Sequence, residues 1–286
     1  MSKFEISKED TKKMQRIGLK MVKYFDAFCS NHGLTYFLCG GNCIGAIRNK
    51  GFIEWDDDVD VFMPRKDYEK LQRIWQDTND YIIQFNRENQ PNYATSVTIH
   101  DRNTTFVKTT ICNRDIAQGV AMDVFPLDPA PNGIKRKIQQ FWAIVYSIYS
   151  ICDTPKNHGT LIRLLGHIPL FLLPTRKIRF KMAKFAERKM SKYKINECDN
   201  ITELCAGPGY MMNDYPKEIF SDSIRVEFED TMLPIPIGYD QYLKIAFGDY
   251  MSLPPIEKRV NHHEYEFIDL DTPYLSYRGI EYLKNN

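Results

Sequence analysis

From Ser7 to about Asn31 apolar residues recur at helical spacing, with Met14, Ile17, Leu19, Met21, Val22, Phe25 and Phe28 carrying the stripe. Ser7 with Asp10 three positions on reads as the helix start, and Gly33 after His32 suits the left-handed position that closes one. The period then shortens. Residues 35–39 form an apolar run that predicts a buried strand, stopped by Gly40-Gly41. Residues 42–49 predict one or two helical turns, 58–63 a second strand, and 66–76 a helix after Pro64. Further strands are predicted at 81–85, 96–100, 105–112 and 119–125. Pro126, Pro129, Pro131 and Gly133 read as a turn-rich boundary, followed by long helical patterns at 134–151 and 160–194 and a mixed final third. No internal repeat interrupts this order. The fold class that follows is α/β (α+β): a mixed sheet with flanking helices, residues 1–133, and an added helical region with a C-terminal segment packing on it, residues 134–286.

Composition narrows the function classes. A chain of 286 residues with 43% hydrophobic and 13% aromatic content is not a disordered one. Thirty-eight Lys and Arg against 37 Asp and Glu exclude a general polyanion binder, and no nucleic-acid recognition signature is present, so nucleic acid is not an expected partner. Seven irregularly spaced cysteines with no C-x-x-C pair indicate neither a zinc ribbon nor a redox couple. The charged first residues lack a signal-peptide core, and no apolar run reaches the about 18 residues of a spanning helix. The expected compartment is the cytoplasm, with reduced thiols.

The chemistry concentrates in residues 55–63, WDDDVDVFM, with four aspartates in five positions. Strand alternation puts Val59, Val61 and Met63 on one face and Asp58, Asp60 and Phe62 on the other. Two carboxylates held about 4 Å apart repel by about 4 kcal/mol at an effective dielectric near 20. A cation or a shared proton would offset that cost, and oxygen-only ligands in an Asp-x-Asp pattern suit Mg²⁺ or Mn²⁺. Asp56 and Asp57 precede the strand and read equally well as a solvated or capping acidic turn. Gly40-Gly41, between a strand and a short helix, offers backbone N–H groups that phosphate can approach closely; an ordinary turn is the commoner meaning of such a pair. Neither a dinucleotide fingerprint nor a P-loop is present. Arg48 and Arg65 flank the acidic strand in sequence, where a guanidinium would bind phosphate, neutralise the aspartates or sit on the surface. Lys50 and Lys66 are weaker candidates.

Other features carry less. His262-His263 lacks a third ligand at zinc spacing, so a structural or acceptor-side role is expected. The tyrosines of residues 238–250 read as packing residues. Residues 161–184 mix an apolar stretch with six cations, which suits either peripheral contact with an anionic membrane face or, more commonly, a buried helix pair with a basic edge.

The stretch from Tyr36 to Leu71 resembles the LicD family of phosphorylcholine transferases, relatives of the fukutin-like enzymes within the nucleotidyltransferase superfamily. Gly-Gly, Gly45-Ala-Ile-Arg48, Gly51-Phe-Ile, Trp55-Asp-Asp-Asp-Val-Asp and Pro64-Arg-Lys-Asp-Tyr68 occur in order, and AMDVFPLDPAP and GDYMSLPPIEKRVNHH extend the likeness to about residue 265. Asn42-Cys43 stands where Thr-Leu is expected and Glu54 where proline is usual. The resemblance implies a nucleotidyltransferase-like core at 1–133 and an acceptor side at 134–286. It also implies transfer of choline phosphate from CDP-choline, or of a related group from another CDP-alcohol, to a hydroxyl of a cell-surface glycan or glycolipid, with release of CMP. Asp58 and Asp60 would hold the metal, Gly40, Gly41, Arg48 and Arg65 the donor. The superfamily's third carboxylate would be Asp123, which alternation sets apart from Val120, Met122 and Val124. It would share a metal or take the acceptor proton. A nucleotidyltransferase moving NMP from an NTP, or a binding relative without turnover, are the alternatives; the presence of all three carboxylates speaks against the latter.

Overall fold

A computed structural model describes residues 6–152, 170, 171, 173, 175–261 and 263–284. Most of the first half of the helix expected at 160–194 lies outside the described residues, as does His262. In chain order the elements are α1 (Lys8–His32), β1 (Phe37–Leu38), α2 (Gly40–Arg48), β2 (Val59–Pro64), α3 (Arg65–Ile74), β3 (Tyr81–Gln84), β4 (Val97–Asp101), β5 (Thr105–Lys108) and β6 (Ala121–Ala130). There follow α4 (Ile134–Ile151), α5 (Arg176–Met190), β7 (Asn200–Thr202), β8 (Tyr215–Pro216), β9 (Ser223–Phe228), β10 (Thr231–Pro236), α6 (Tyr239–Phe247) and β11 (Tyr265–Asp269). Six α-helices among the described residues and a mixed sheet make this the α/β (α+β) content expected from the sequence. The chain forms two compact units, Met1–Gln84 with Thr98–Val124 and Glu218–Asn286, and Phe85–Val97 with Phe125–Lys217.

In the first unit α1 begins and ends where its capping residues say it should. The Ser7 hydroxyl accepts from the Asp10 N–H at 3.0 Å, and Gly33 closes the helix at φ 60°. Met14, Met21, Val22, Phe25 and Cys29 form its buried stripe. A Cβ on Gly18 would stand 2.8 Å from the Val59 side chain, so a side-chain-free position lets the helix lie close on β2. The strands follow the order β1-β2-β6-β4-β3. Phe37 faces Phe62 and Leu38 faces Val61 in the antiparallel β1–β2 pair. Val59, Val61 and Met63 are buried, as the alternation requires, but Phe62 on the opposite face is buried too, against Phe220 and Tyr242. β2 is therefore covered on both faces at that end. β11 pairs with β5, which ends at Lys108 rather than continuing to 112.

The boundary expected from Pro126 and Pro129 is instead part of a strand. β6 runs through both, and Asp128, Pro129 and Ala130 pair with Thr202, Ile201 and Asn200. A proline removes one ladder donor but its φ lies within the extended region, so flanking pairs can carry the strand.

In the second unit α4 and α5 pack around Ala143, Tyr146, Ala183, Ala186 and Met190, with Leu204, Cys205 and Met211. Small residues at 143, 183 and 186 bring the two helix backbones close. The inward face of α4 also carries Arg136 and Gln139, both buried and both satisfied. Arg136 donates to Asp214 at 2.7 Å, to Gln139 at 3.1 Å, and to Thr202 and the Met211 carbonyl at 2.7 Å. Gln139 donates to the carbonyls of Pro129 and Met190 at 2.8 and 2.9 Å. A buried guanidinium is tolerable only with such partners.

Glu203 is buried in the same unit and accepts a short hydrogen bond from the Tyr215 hydroxyl. Burial pushes its carboxyl up to about 7, against the opposing hydrogen bonds of Tyr215 and Asn213. The folded chain thus keeps a proton that the unfolded chain has released above pH 4.5. The resulting stabilisation is complete below that value and fades as pH rises through about 7. Between pH 5 and 8 the wild type is expected to lose up to about 3 kcal/mol relative to Glu203→Gln, which keeps an acceptor and cannot ionise. Calorimetric melting of the two proteins across that range checks it: parallel pH profiles would contradict a titrating Glu203.

Candidate active site

The end of β2 that carries the aspartates is fixed from two sides. Asn42, buried in α2, donates its amide to the Asp58 carbonyl at 3.2 Å and accepts from the Asp60 N–H at 2.5 Å. Cys39 N–H, at the end of β1, donates to the Asp60 carbonyl at 3.1 Å. Upstream, Gln15 of α1 donates to the carbonyls of Ile53 and Asp56 at 3.0 and 2.9 Å, and Asn261 to that of Trp55 at 3.1 Å. Peptide groups of Ile53, Trp55, Asp56, Asp58 and Asp60 are thus held by groups remote in sequence, most of them side chains.

β6 is the neighbour of β2 and brings Asp123, half-buried between the buried Met122 and Val124. The carboxyl of Asp60 is held well above the usual range, first by burial and then by Asp58, Asp123 and Asp56. Asp58 is also raised, chiefly by burial; His263 and Lys108 pull it back while Asp57 and Asp123 push it further. The three carboxylates singled out from the sequence, Asp58, Asp60 and Asp123, therefore act on one another electrostatically.

Asp56 and Asp57 are not a solvated turn. Both are buried, and the carboxyl of Asp56 is pushed well above its usual range by burial and by Asp58 and Asp57. Among the described residues Asp56 Oδ2 and Asp57 Oδ1 are buried without a hydrogen-bond partner. His263 joins this edge, with Nδ1 3.2 Å from Asp57 and Nε2 3.9 Å from Asp58, and a ligand atom from each of the three residues falls within a sphere of contact small enough for one ion. Its ring also lies edge-on to Phe106 at 6.3 Å. The sequence signal for Asp56 and Asp57 was the length of the acidic run itself; nothing local marked His263 or Lys108 as its neighbours.

The glycines sit at the same place. Gly40 opens α2 at φ 53°, and its N–H is taken by the Tyr242 hydroxyl at 3.0 Å. A Cβ on Gly41 would meet Asp56 Oδ2 at 2.4 Å, so this glycine makes room for a carboxylate. The two arginines are placed differently. Arg48 ends α2 and donates to Asn49 and to the Tyr250 carbonyl at 3.1 Å. Burial and nearby Arg259 lower its pKa. Arg259, unmarked by the sequence reading, lies over the Trp55 ring at 5.7 Å. Arg65 follows the far end of β2, over the Tyr68 ring at 5.3 Å. Four strand residues lie between it and Asp60, a backbone separation of roughly 16 Å.

Oxygen donors crowded on adjacent strands, with two buried carboxylate atoms left unpartnered, fit a hard divalent cation. The residues present are compatible with the Mg²⁺ or Mn²⁺ that the acidic pattern suggested.

A mixed α/β protein with a carboxylate cluster at the head of a glycine-led helix is the class that fold and site define. Residues 33–136 match the family described as LicD/FKTN/FKRP, nucleotidyltransferase domain. The chain is also 31% identical over 269 residues to the lipopolysaccharide cholinephosphotransferase LicD of Haemophilus influenzae (strain ATCC 51907 / DSM 11121 / KW20 / Rd), covering 88% of this chain and 95% of that relative. The chain belongs to the LicD family and is an enzyme of the transferase class. The matched span holds every residue of the carboxylate cluster, whereas Tyr242, Arg259 and His263 lie beyond it.

Two substitutions probe this arrangement. Asn42→Leu keeps the volume but strands the Asp60 N–H and the Asp58 carbonyl, and is expected to cost roughly 1–3 kcal/mol, read from chemical denaturation. Gly41→Ala is expected to drive the Asp56 carboxylate out of place and weaken Mn²⁺ binding roughly tenfold by calorimetric titration, whereas Gly33→Ala, at positive φ but with open space around it, should lose about 1 kcal/mol of stability and leave Mn²⁺ binding alone. Equal Mn²⁺ affinities in both glycine variants would dissociate Gly41 from the cluster.

Proposed function

We propose that this enzyme transfers choline phosphate, or a closely related phospho-alcohol, from a CDP-linked donor to a hydroxyl of a glycan or glycolipid, releasing CMP. The observation that carries the reading is the convergence of Asp58, Asp60 and Asp123 from adjacent strands, in a chain related over nearly its whole length to a lipopolysaccharide cholinephosphotransferase. Asp58, Asp60 and Asp123 would hold the cation, with Asp57 and His263 close beside Asp58 and the unpartnered oxygens of Asp56 and Asp57 as further donors. When bound, such an ion supplies neutralisation of phosphate charge and Lewis-acid polarisation.

The chain's own groups account for the rest. Transfer of this kind relies on placement and charge more than on covalent help. The acceptor oxygen forms a bond to the phosphorus that bears the alcohol, the bond from that phosphorus to the CMP oxygen breaks, and the acceptor proton passes to a carboxylate, for which Asp123 stands apart on its strand. Arg48 and Arg259, close enough for one to depress the other's pKa, form a cationic pair that a donor phosphate would relieve. The start of α2 presents further N–H groups beyond that of Gly40. Arg65, over Tyr68, is left outside the donor contacts in this reading.

The test is product analysis with Mg²⁺ or Mn²⁺, CDP-choline, CDP-ribitol, CDP-glycerol and the NTPs, offered with lipopolysaccharide-type and teichoic-type acceptors. CMP and an acceptor carrying a phosphodiester-linked alcohol are expected, with EDTA stopping the reaction. Pyrophosphate with an NMP-modified acceptor would replace the reading with nucleotidyl transfer. Asp60→Asn is expected to lower turnover by roughly a thousandfold or more while the apo protein melts no lower than wild type, because a charge leaves a repelling cluster.

A further inference from the structure

The second unit wears α4 inside out. Its inward face carries Arg136 and Gln139, 6% and 0% exposed, while Ile134, Ile138, Phe141, Ile144 and Ile151 stand 75%, 45%, 56%, 48% and 38% exposed. Steps of four, three, three and seven place these five on one stripe of the helix. A helix that spends its polar residues on the interior and its isoleucines on the outside has a partner for the outside, since isolated apolar residues on a surface are ordinary but a continuous row of them is not.

The adjoining surface says what kind of partner. Trp142 lies 5.2 Å from Phe141 and 5.3 Å from Phe185 of α5, so an aromatic row links the two helices. Phe185 and Ile178 are exposed on α5 beside Lys181 and Arg188, and the Lys189 ammonium lies 5.1 Å from the Phe185 ring. From 134 to 194 the sequence holds fourteen Lys and Arg against two Asp and Glu, a charge of +12 in a chain whose total is +1, so the remainder carries −11. A second copy of this segment, carrying the same positive excess, would repel the first. An apolar stripe, aromatics at its margin and a basic border are the marks of a helix lying in the headgroup plane.

We infer that the α4–α5 face docks the enzyme on an anionic lipid bilayer, with α4 lying flat over about 27 Å of interface. The Ile and Phe side chains of α4 enter the acyl boundary, and Lys181, Arg188 and Lys189 meet the phosphate headgroups. No described helix is long and apolar enough to cross a membrane; the contact inferred is one of a helix lying along the surface. The inference rests on the exposure and charge of this unit and not on the transfer reaction.

The experiment is flotation of the full chain with vesicles of phosphatidylglycerol and phosphatidylethanolamine, against vesicles of phosphatidylcholine. Binding to the anionic vesicles is expected to exceed that to the neutral ones roughly tenfold and to weaken as salt shortens the screening length. Phe141→Ser with Ile144→Ser, and separately Lys181→Glu with Arg188→Glu, are each expected to reduce bound protein roughly tenfold while circular dichroism and melting temperature stay at wild-type values, all four side chains being outside the core. Absence of flotation on anionic vesicles, or equal flotation of wild type and both variants, overturns the inference. A wild-type dimer that Phe141→Ser with Ile144→Ser dissociates, without vesicle binding, overturns it in favour of a second copy.

Discussion

Mutual repulsion of carboxylates is the constraint around which the first unit is built. At an effective dielectric near 20 a pair about 4 Å apart would cost about 4 kcal/mol, and in this cluster Asp57, Asp58 and Asp123 each push a neighbouring carboxyl upward. The chain tolerates them because their backbone is not free to relax. Asn42 ties both peptides flanking Val59, Gln15 and Asn261 hold the approach, and the buried Val59, Val61 and Met63 anchor the strand beneath. His263 and Lys108 offset part of the charge. Hydrogen bonds that hold like charges together suit the cation proposed for the enzyme, and this links the packing of α1 and α2 to that proposal.

Asn42 serves two backbone groups at once: its amide donates to the Asp58 carbonyl and accepts from the Asp60 N–H, on either side of Val59. Tyr242 and Phe62 show the same economy. One tyrosine caps the first N–H of α2 with its hydroxyl and closes the sheet face against Phe62 with its ring, 5.6 Å away.

The second unit meets the opposite problem, polar groups inside and apolar groups outside. Arg136 costs little in the interior because each of its donors has an acceptor, and Gln139 closes the remaining carbonyls of Pro129 and Met190. Satisfying polar groups inward frees the outward face of α4 to be apolar. The two units thus carry opposite surface characters, one gathered around carboxylates and the other edged with lysine and arginine.

What the sequence by itself determined was what depends on near neighbours along the chain. The caps of α1 at Ser7 and Gly33, the burial of Val59, Val61 and Met63 and of Val120, Met122 and Val124, and the full span of α4 follow from periodicities of two and 3.6 and from local backbone preference. Asp58 and Asp60 were legible for the same reason, since alternation assigns a face without any knowledge of what lies opposite. Only the tertiary structure decided what depends on residues far apart in sequence. It turned Asp56 and Asp57 inward, brought His263 to Asp57 and Asp58 and Lys108 to Asp58 and Asp60, carried β6 through Pro126 and Pro129, covered Phe62, and left Arg65 over Tyr68 at the far end of β2. Sheet order, and the return of Glu218–Asn286 to the first unit, set those neighbours. A side chain's direction is a local property, but the charge or ring it meets there is a property of the whole packing.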